Sequence, residues 1–75
     1  MTETRQPTRG ELVVGITFNV GGREDVHECK QRFADAIDQL YVLEEDASEF
    51  KRELIIEAQK RILDAQMWAV KAITA

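Results

Sequence analysis

Apolar residues on two sides of one long predicted helix constrain this chain most. Between residues 47 and 74, helical spacing places one apolar stripe where it can pack on a neighbouring helix: Phe50, Leu54, Ala58, Ile62, Ala65 and Ala69. A second stripe is rotated away from the first. A single antiparallel neighbour covers only one stripe, and monomers rarely expose an apolar patch of that size. The sequence therefore predicts assembly, with these residues at the subunit interface: Ile56, Leu63, Met67, Trp68 and Val70.

The size of the chain also favours assembly. With 75 residues it forms one domain, and a domain of this size buries only about 60% of its unfolded surface. The single Cys29 excludes an internal disulfide, and the single His27 argues against a structural zinc site. Because small domains otherwise rely on such links, association between subunits is the remaining route to stability. We predict no metal and no cofactor.

Charge and hydropathy restrict the kinds of molecule that this protein can bind and the cellular compartment in which it can work. The 14 acidic and 10 basic residues give a net charge of -4, which argues against binding to long nucleic acid but leaves room for a small anion held by local cations. No apolar run approaches the roughly 20 residues that cross a bilayer, and the N-terminus does not resemble a signal peptide. One unpaired cysteine fits a reducing compartment. These features predict a cytosolic protein with no membrane partner.

The pattern along the chain predicts an all-α fold. Residues 1–10 read as a flexible polar tail, and residues 11–75 as a single domain. Within that domain, the β-branched run at 11–20 predicts an extended arm or short strand. Apolar spacing predicts helix one at about 23–44 and helix two at about 47–74, with Asp46 and Glu49 as the cap of helix two. The expected architecture is an antiparallel helical hairpin with an extended N-terminal arm.

No combination of residues in the sequence indicates catalysis, so we predict a protein that is not an enzyme. The pair Gly21-Gly22 before helix one is either a flexible turn or a place where a phosphate approaches unpaired helix N–H groups. The lysines and arginines are either solvated faces or, across a subunit boundary, a phosphate site with Phe18 or Tyr41 stacking on a base. The pattern leaves both alternatives open.

Two segments resemble a known family. The first comprises Phe18-Asn19-Val20-Gly21-Gly22, followed by Asp25-Val26, Lys30 and Ala36-Ile37-Asp38; the second is Asp64-Ala65-Gln66-Met67-Trp68-Ala69-Val70-Lys71-Ala72-Ile73-Thr74. Together they resemble the phage anti-CBASS sponges, which are related to the phage anti-Thoeris sponges. The resemblance covers about residues 18–75, and the run around Met67-Trp68 is its most specific part.

The resemblance implies a function as well as a fold. It implies a hexamer of helical hairpins that sequesters cyclic di- and trinucleotide immune signals in the host bacterial cytoplasm, without cleaving them. By position, Phe18 and Asn19 would contact a base, Lys30 would contact a phosphate, and Gly21 and Gly22 would shape the approach. The family's second-helix pattern falls on the region containing Arg52 and Lys60, where Lys60 stands in place of a threonine.

A rival reading belongs to a different class of protein. A noncatalytic helical adaptor, or a structural oligomerisation module, would use the same two-sided helix to bind a partner helix and would bind no nucleotide.

Overall fold

The computed structural model describes residues 5–75 and is helical. Helix α1 spans Arg9–Val14, a single 3₁₀ turn spans Val20–Gly22, α2 spans Glu24–Val42, and α3 spans Glu49–Thr74. The described residues contain no strand. Helices α2 and α3 form the expected hairpin, and α1 packs mainly on α2. No helix among them is long and apolar enough to cross a membrane.

The segment before Phe18 differs from the prediction. Residues 11–14 are helical rather than extended, because Thr8 and Glu11 form a capping box: the Thr8 hydroxyl accepts from the Glu11 N–H at 3.1 Å, and the Glu11 carboxylate accepts from the Thr8 N–H at 2.9 Å. Gly15 ends the helix in the left-handed conformation. The predicted flexible tail is therefore also wrong for residues 8–10, while residues 1–4 lie outside the described part.

Helix α1 lies unusually close to α2 at Gly10. A Cβ atom on Gly10 would stand 2.0 Å from the carbonyl oxygen of Ala34, so only glycine permits this approach. The Gly10 N–H donates to the Asp38 carboxylate at 2.6 Å. Glu11, almost fully buried, accepts from the Arg5 guanidinium at 2.8 and 3.1 Å. The contacts of Gly10 hold α1 on α2 although the helix is short, and the Arg5–Glu11 pair fixes the start of α1.

The hairpin itself agrees with the prediction within two residues at each end. The cap of α3 differs: Ser48, rather than Asp46, is the N-cap, and its hydroxyl accepts from the Lys51 N–H at 3.2 Å. The packing stripe of α3 also differs. Ile55 is buried while Phe50 and Leu54 are exposed, because neighbouring helical residues point about 100° apart and α3 turns Ile55 toward α2.

The core is small and the molecule is thin. Val14, Ala34 and Ile37 form the buried cluster where α1, α2 and α3 meet. The Cα atoms span only 13 Å in the shortest direction. An accessible surface of 5801 Å² exceeds the value of about 4,700 Å² expected for a compact monomer of this size. Large apolar residues are exposed on both ends of the hairpin: Leu12, Phe18, Val20, Tyr41, Val42, Leu43, Phe50, Leu54, Ile56, Met67 and Trp68.

Candidate ligand site and subunit surface

The Lys30 side chain anchors the turn that carries Phe18. The Lys30 ammonium donates to the carbonyl oxygens of Gly15 at 3.0 Å and Phe18 at 2.5 Å. It also lies 5.3 Å from the centre of the Phe18 ring, within range of a cation–π contact. Phe18 is 73% exposed, so its ring is available for stacking while its backbone is anchored.

Lys30 is buried, with only 4% of its surface exposed. Burial lowers the pKa of its ammonium group from the ordinary lysine value, because the charged form is desolvated. The carbonyl oxygens of Gly15 and Phe18 occupy two of its three N–H donors. Within a single subunit, Lys30 therefore holds the turn in place.

The Asn19 side chain holds the backbone just before α2 through two hydrogen bonds to Arg23. Its side-chain amide donates to the Arg23 carbonyl oxygen at 2.7 Å, and its side-chain oxygen accepts from the Arg23 N–H at 3.3 Å. Gly21 and Gly22 both have positive φ angles, 83° and 63°, and nothing lies within 4 Å of where a Cβ would stand. The requirement for glycine at these two positions is therefore conformational, and the turn stays open to approach from outside.

An apolar cleft of about 490 Å³ lies between the end of α1, the Phe18 turn and α3. We call it the α1–α3 cleft. Its walls are Leu12, Val13, Val14, Gly15, Phe18, Lys30, Leu63, Gln66, Met67 and Val70. A smaller recess of about 160 Å³ continues past the turn, where Asn19 and Val20 face Val26, Val70 and Thr74. Residues around 18–20 and around 66–74, far apart in sequence, thus line neighbouring recesses.

The residues predicted at the subunit interface divide into two groups. Met67 and Trp68 are 61% and 64% exposed, and Ile56 is also exposed. Leu63 and Val70 are half-buried in the wall of the α1–α3 cleft. The Lys71 ammonium lies 5.2 Å from the centre of the Trp68 rings. In the part of the chain that the structure describes, the outer surface of α3 thus carries an aromatic ring and a cation that are both largely exposed.

Arg52 and Lys60 lie apart from the Phe18 turn. The Arg52 guanidinium donates to the Glu44 carbonyl oxygen at 2.8 Å, at the end of the hairpin where α2 and α3 connect. Along α3, 18 residues separate Arg52 from Val70 in the cleft, which corresponds to about 27 Å at 1.5 Å per residue. Lys60 is exposed between them. One chain does not bring all the predicted ligand residues together.

Five residues of the cleft were not predicted as site residues: Leu12, Val13, Val14, Gly15 and Gln66. The first four belong to the segment that was predicted to be extended, and the Thr8–Glu11 capping box was the signal that would have placed residues 12–14 on a helix. Gln66 is a polar residue at the apolar spacing of Leu63 and Val70, yet it is 4% exposed. Its position within an apolar stripe was the sequence signal that could have marked Gln66 as a site residue.

Comparison with known proteins gives no match: no family model fits the chain, and no curated protein or solved structure is significantly similar to it.

Proposed function

We propose that this protein sequesters cyclic di- or trinucleotide signals without cleaving them, as a homo-oligomer of helical hairpins that acts in the cytoplasm of a host bacterium. One observation carries the proposal. The two segments that resemble the anti-CBASS sponges, around Phe18 and around Met67-Trp68, line the same α1–α3 cleft. An anchored, exposed aromatic ring therefore stands beside an apolar cleft and one buried cation.

The chemistry of capture follows from these groups. The Phe18 ring would stack on a base, an interaction worth about 1–3 kcal/mol per base in single-stranded nucleic acid complexes. The remaining donor of Lys30 would reach a phosphate. Since the protein carries a net charge of -4, a small anion needs these local donors and shelter from the overall field. Capture lowers the free signal by mass action, so the amount of protein limits the effect.

Assembly completes the proposed site. The α1–α3 cleft is open; Arg52 lies too far along α3 to join it within one chain, and Lys60 is not among the residues that line it. In an oligomer they would come from a neighbouring subunit, whose α3 would also cover Met67 and Trp68. A hexamer is the assembly that the resemblance implies.

Titration calorimetry with a panel of cyclic di- and trinucleotides tests this function. We expect tight binding, and chromatography after denaturation should recover the ligand intact. Recovery of linear nucleotides would indicate an enzyme instead. Replacing Phe18 with alanine should weaken binding about fivefold or more if the ring stacks on a base. The matched control is Phe50→Ala, because Phe50 is similarly exposed but lies near the connection between α2 and α3.

A noncatalytic adaptor or oligomerisation module is the second candidate. The cations near the Phe18 turn already have partners in the chain: Lys30 has two carbonyl oxygens, and Arg23 pairs with Asp25 at 2.8 Å. The exposed apolar surface would then serve only to bind a helix. Absence of binding across the nucleotide panel, with an intact oligomer by light scattering, would favour this candidate.

A further inference from the structure

Gln66 is buried, and its amide has no hydrogen-bond partner within residues 5–75. Three polar side chains are buried in that part of the chain, and the other two, Glu11 and Lys30, are hydrogen-bonded. Every fully enclosed side-chain nitrogen or oxygen among these residues has a partner. The amide atoms of Gln66 must therefore keep a small contact with solvent. Gln66 lines the α1–α3 cleft, which places this residue at the surface that a ligand in the cleft would contact.

The rest of the cleft is almost entirely apolar. Leu12 and Val13 on α1 face Leu63, Met67 and Val70 on α3 across a space of about 490 Å³. That volume lies within the range of about 300–1,000 Å³ that small-molecule sites occupy, and such sites combine apolar walls with a few polar groups that set orientation. Gln66 supplies the single uncharged polar side chain of this cleft.

We propose that the α1–α3 cleft receives a base of the captured cyclic nucleotide and that Gln66 selects adenine. This assignment rests on the proposed function. A glutamine amide presents one acceptor beside its donors, which matches the adjacent N6 donor and N7 acceptor of adenine. Guanine presents two acceptors at the same edge, so the Gln66 carbonyl oxygen would face an acceptor and stay unpaired.

The burial of Gln66 should also affect the stability of the protein without ligand. The solvent contact of the Gln66 amide is small, so the amide is poorly hydrated in the free protein, and an apolar side chain of similar size avoids that cost. Gln66→Leu should therefore leave the melting temperature of the free protein unchanged or raise it. A purely structural glutamine would give the opposite result, because its replacement would lower the melting temperature.

The test compares cyclic di-adenylate with cyclic di-guanylate by calorimetry. We expect the wild-type protein to bind the adenine ligand about fivefold more tightly or better, since one bidentate base contact discriminates at that level. Gln66→Leu should bring the ratio of the two dissociation constants close to one. The matched control is Gln59→Leu on the same helix, where the Gln59 amide already donates to the Glu44 carboxylate at 3.2 Å; this variant should keep the wild-type ratio.

Three other results would overturn the assignment of Gln66, and each points to a different cause. If the wild-type protein binds cyclic nucleotides and Gln66→Leu leaves the ratio unchanged, Gln66 does not select the base although the proposed function stands. If the ratio is unchanged but light scattering gives a different mass for Gln66→Leu, the cleft holds a side chain of a second copy. If the wild-type protein binds no cyclic nucleotide, the proposed function itself fails.

Discussion

The contact between α1 and α2 differs from the outer face of α3 in whether its apolar side chains are covered. Where α1 lies on α2, Val14 is buried against Ala34 and Ile37, and a hydrogen bond from the Gly10 N–H to Asp38 joins the two helices. On α3, Met67 and Trp68 are mostly exposed. The first region is stabilised by its own chain, and the second is the surface that we propose a neighbouring subunit covers. The difference separates variants that unfold the subunit from variants that separate subunits.

The largest expected effect is the loss of assembly in Met67→Lys. A lysine at the centre of a buried interface places an unpaired charge in apolar surroundings, while the same lysine on the exposed face of a free subunit costs little. Light scattering should show the mass falling to that of one chain, with helical circular dichroism unchanged. Val42→Lys is the control, because Val42 is 69% exposed near the connection between α2 and α3. Dissociation by Val42→Lys alone would place the interface at that end.

The next effect is the destabilisation caused by Gly10→Ala. The added Cβ would collide with the Ala34 carbonyl, pushing α1 off α2 and breaking the Gly10–Asp38 hydrogen bond. Overpacking of this kind costs about 1–3 kcal/mol, so we expect the upper end of that range in urea denaturation. Gly22→Ala is the comparison, since its Cβ meets nothing and only the positive φ angle is strained; it should lose about 1 kcal/mol. Equal losses would mean that α1 does not depend on close contact.

The smallest effect concerns the charge of Glu11. Hydrogen bonds from Arg5, with the N–H of Thr8, lower the pKa of this carboxyl from 4.5 to about 2. Because this pKa is lower in the folded state, the ionised carboxylate stabilises the protein at every pH above the ordinary pKa of 4.5. That contribution disappears as the pH falls from 4.5 toward 2. Glu11→Gln should therefore cost about 1–2 kcal/mol at pH 7, and the difference from wild type should shrink across this pH window.

Glu57→Gln is the matched control for the acid experiment. Glu57 pairs with Arg61 at 3.1 Å on the exposed face of α3, where both side chains are largely solvated. An exposed pair of this kind contributes about 0.3–0.5 kcal/mol. A pH profile that is the same for both glutamine variants would contradict the structural role given to Glu11.

The hairpin could be predicted from the sequence because its signals are periodic. Apolar spacing over residues 24–42 and 49–74 is long enough to identify helices, and the ends differed by at most two residues. Helix α1 was missed because three β-branched or apolar residues in a row, Leu12, Val13 and Val14, also suit a strand. The local capping box outweighed that preference, and it required Thr8 and Glu11 to be considered together.

The candidate site was only partly predictable. Phe18 and Lys30 were predicted as ligand residues from the resemblance, but the resemblance does not reveal that the Lys30 ammonium binds the carbonyl oxygens of the Phe18 turn. Gln66 was not identified, because its environment depends on α1 lying across the cleft. Burial of a polar side chain is a property of the packed chain, and spacing along one helix cannot report it.

The sequence by itself determined two long amphipathic helices and an excess of apolar surface on the second. Both follow from the periodicity of side chains around a helix, which is a local property. The tertiary structure decided which apolar residues are covered: Ile55 rather than Phe50 faces α2, and α1 turns the space beside Gln66 into a cleft. Coverage depends on the rotation of each helix about its axis and on close contacts such as Gly10 with Ala34, which link residues distant in sequence.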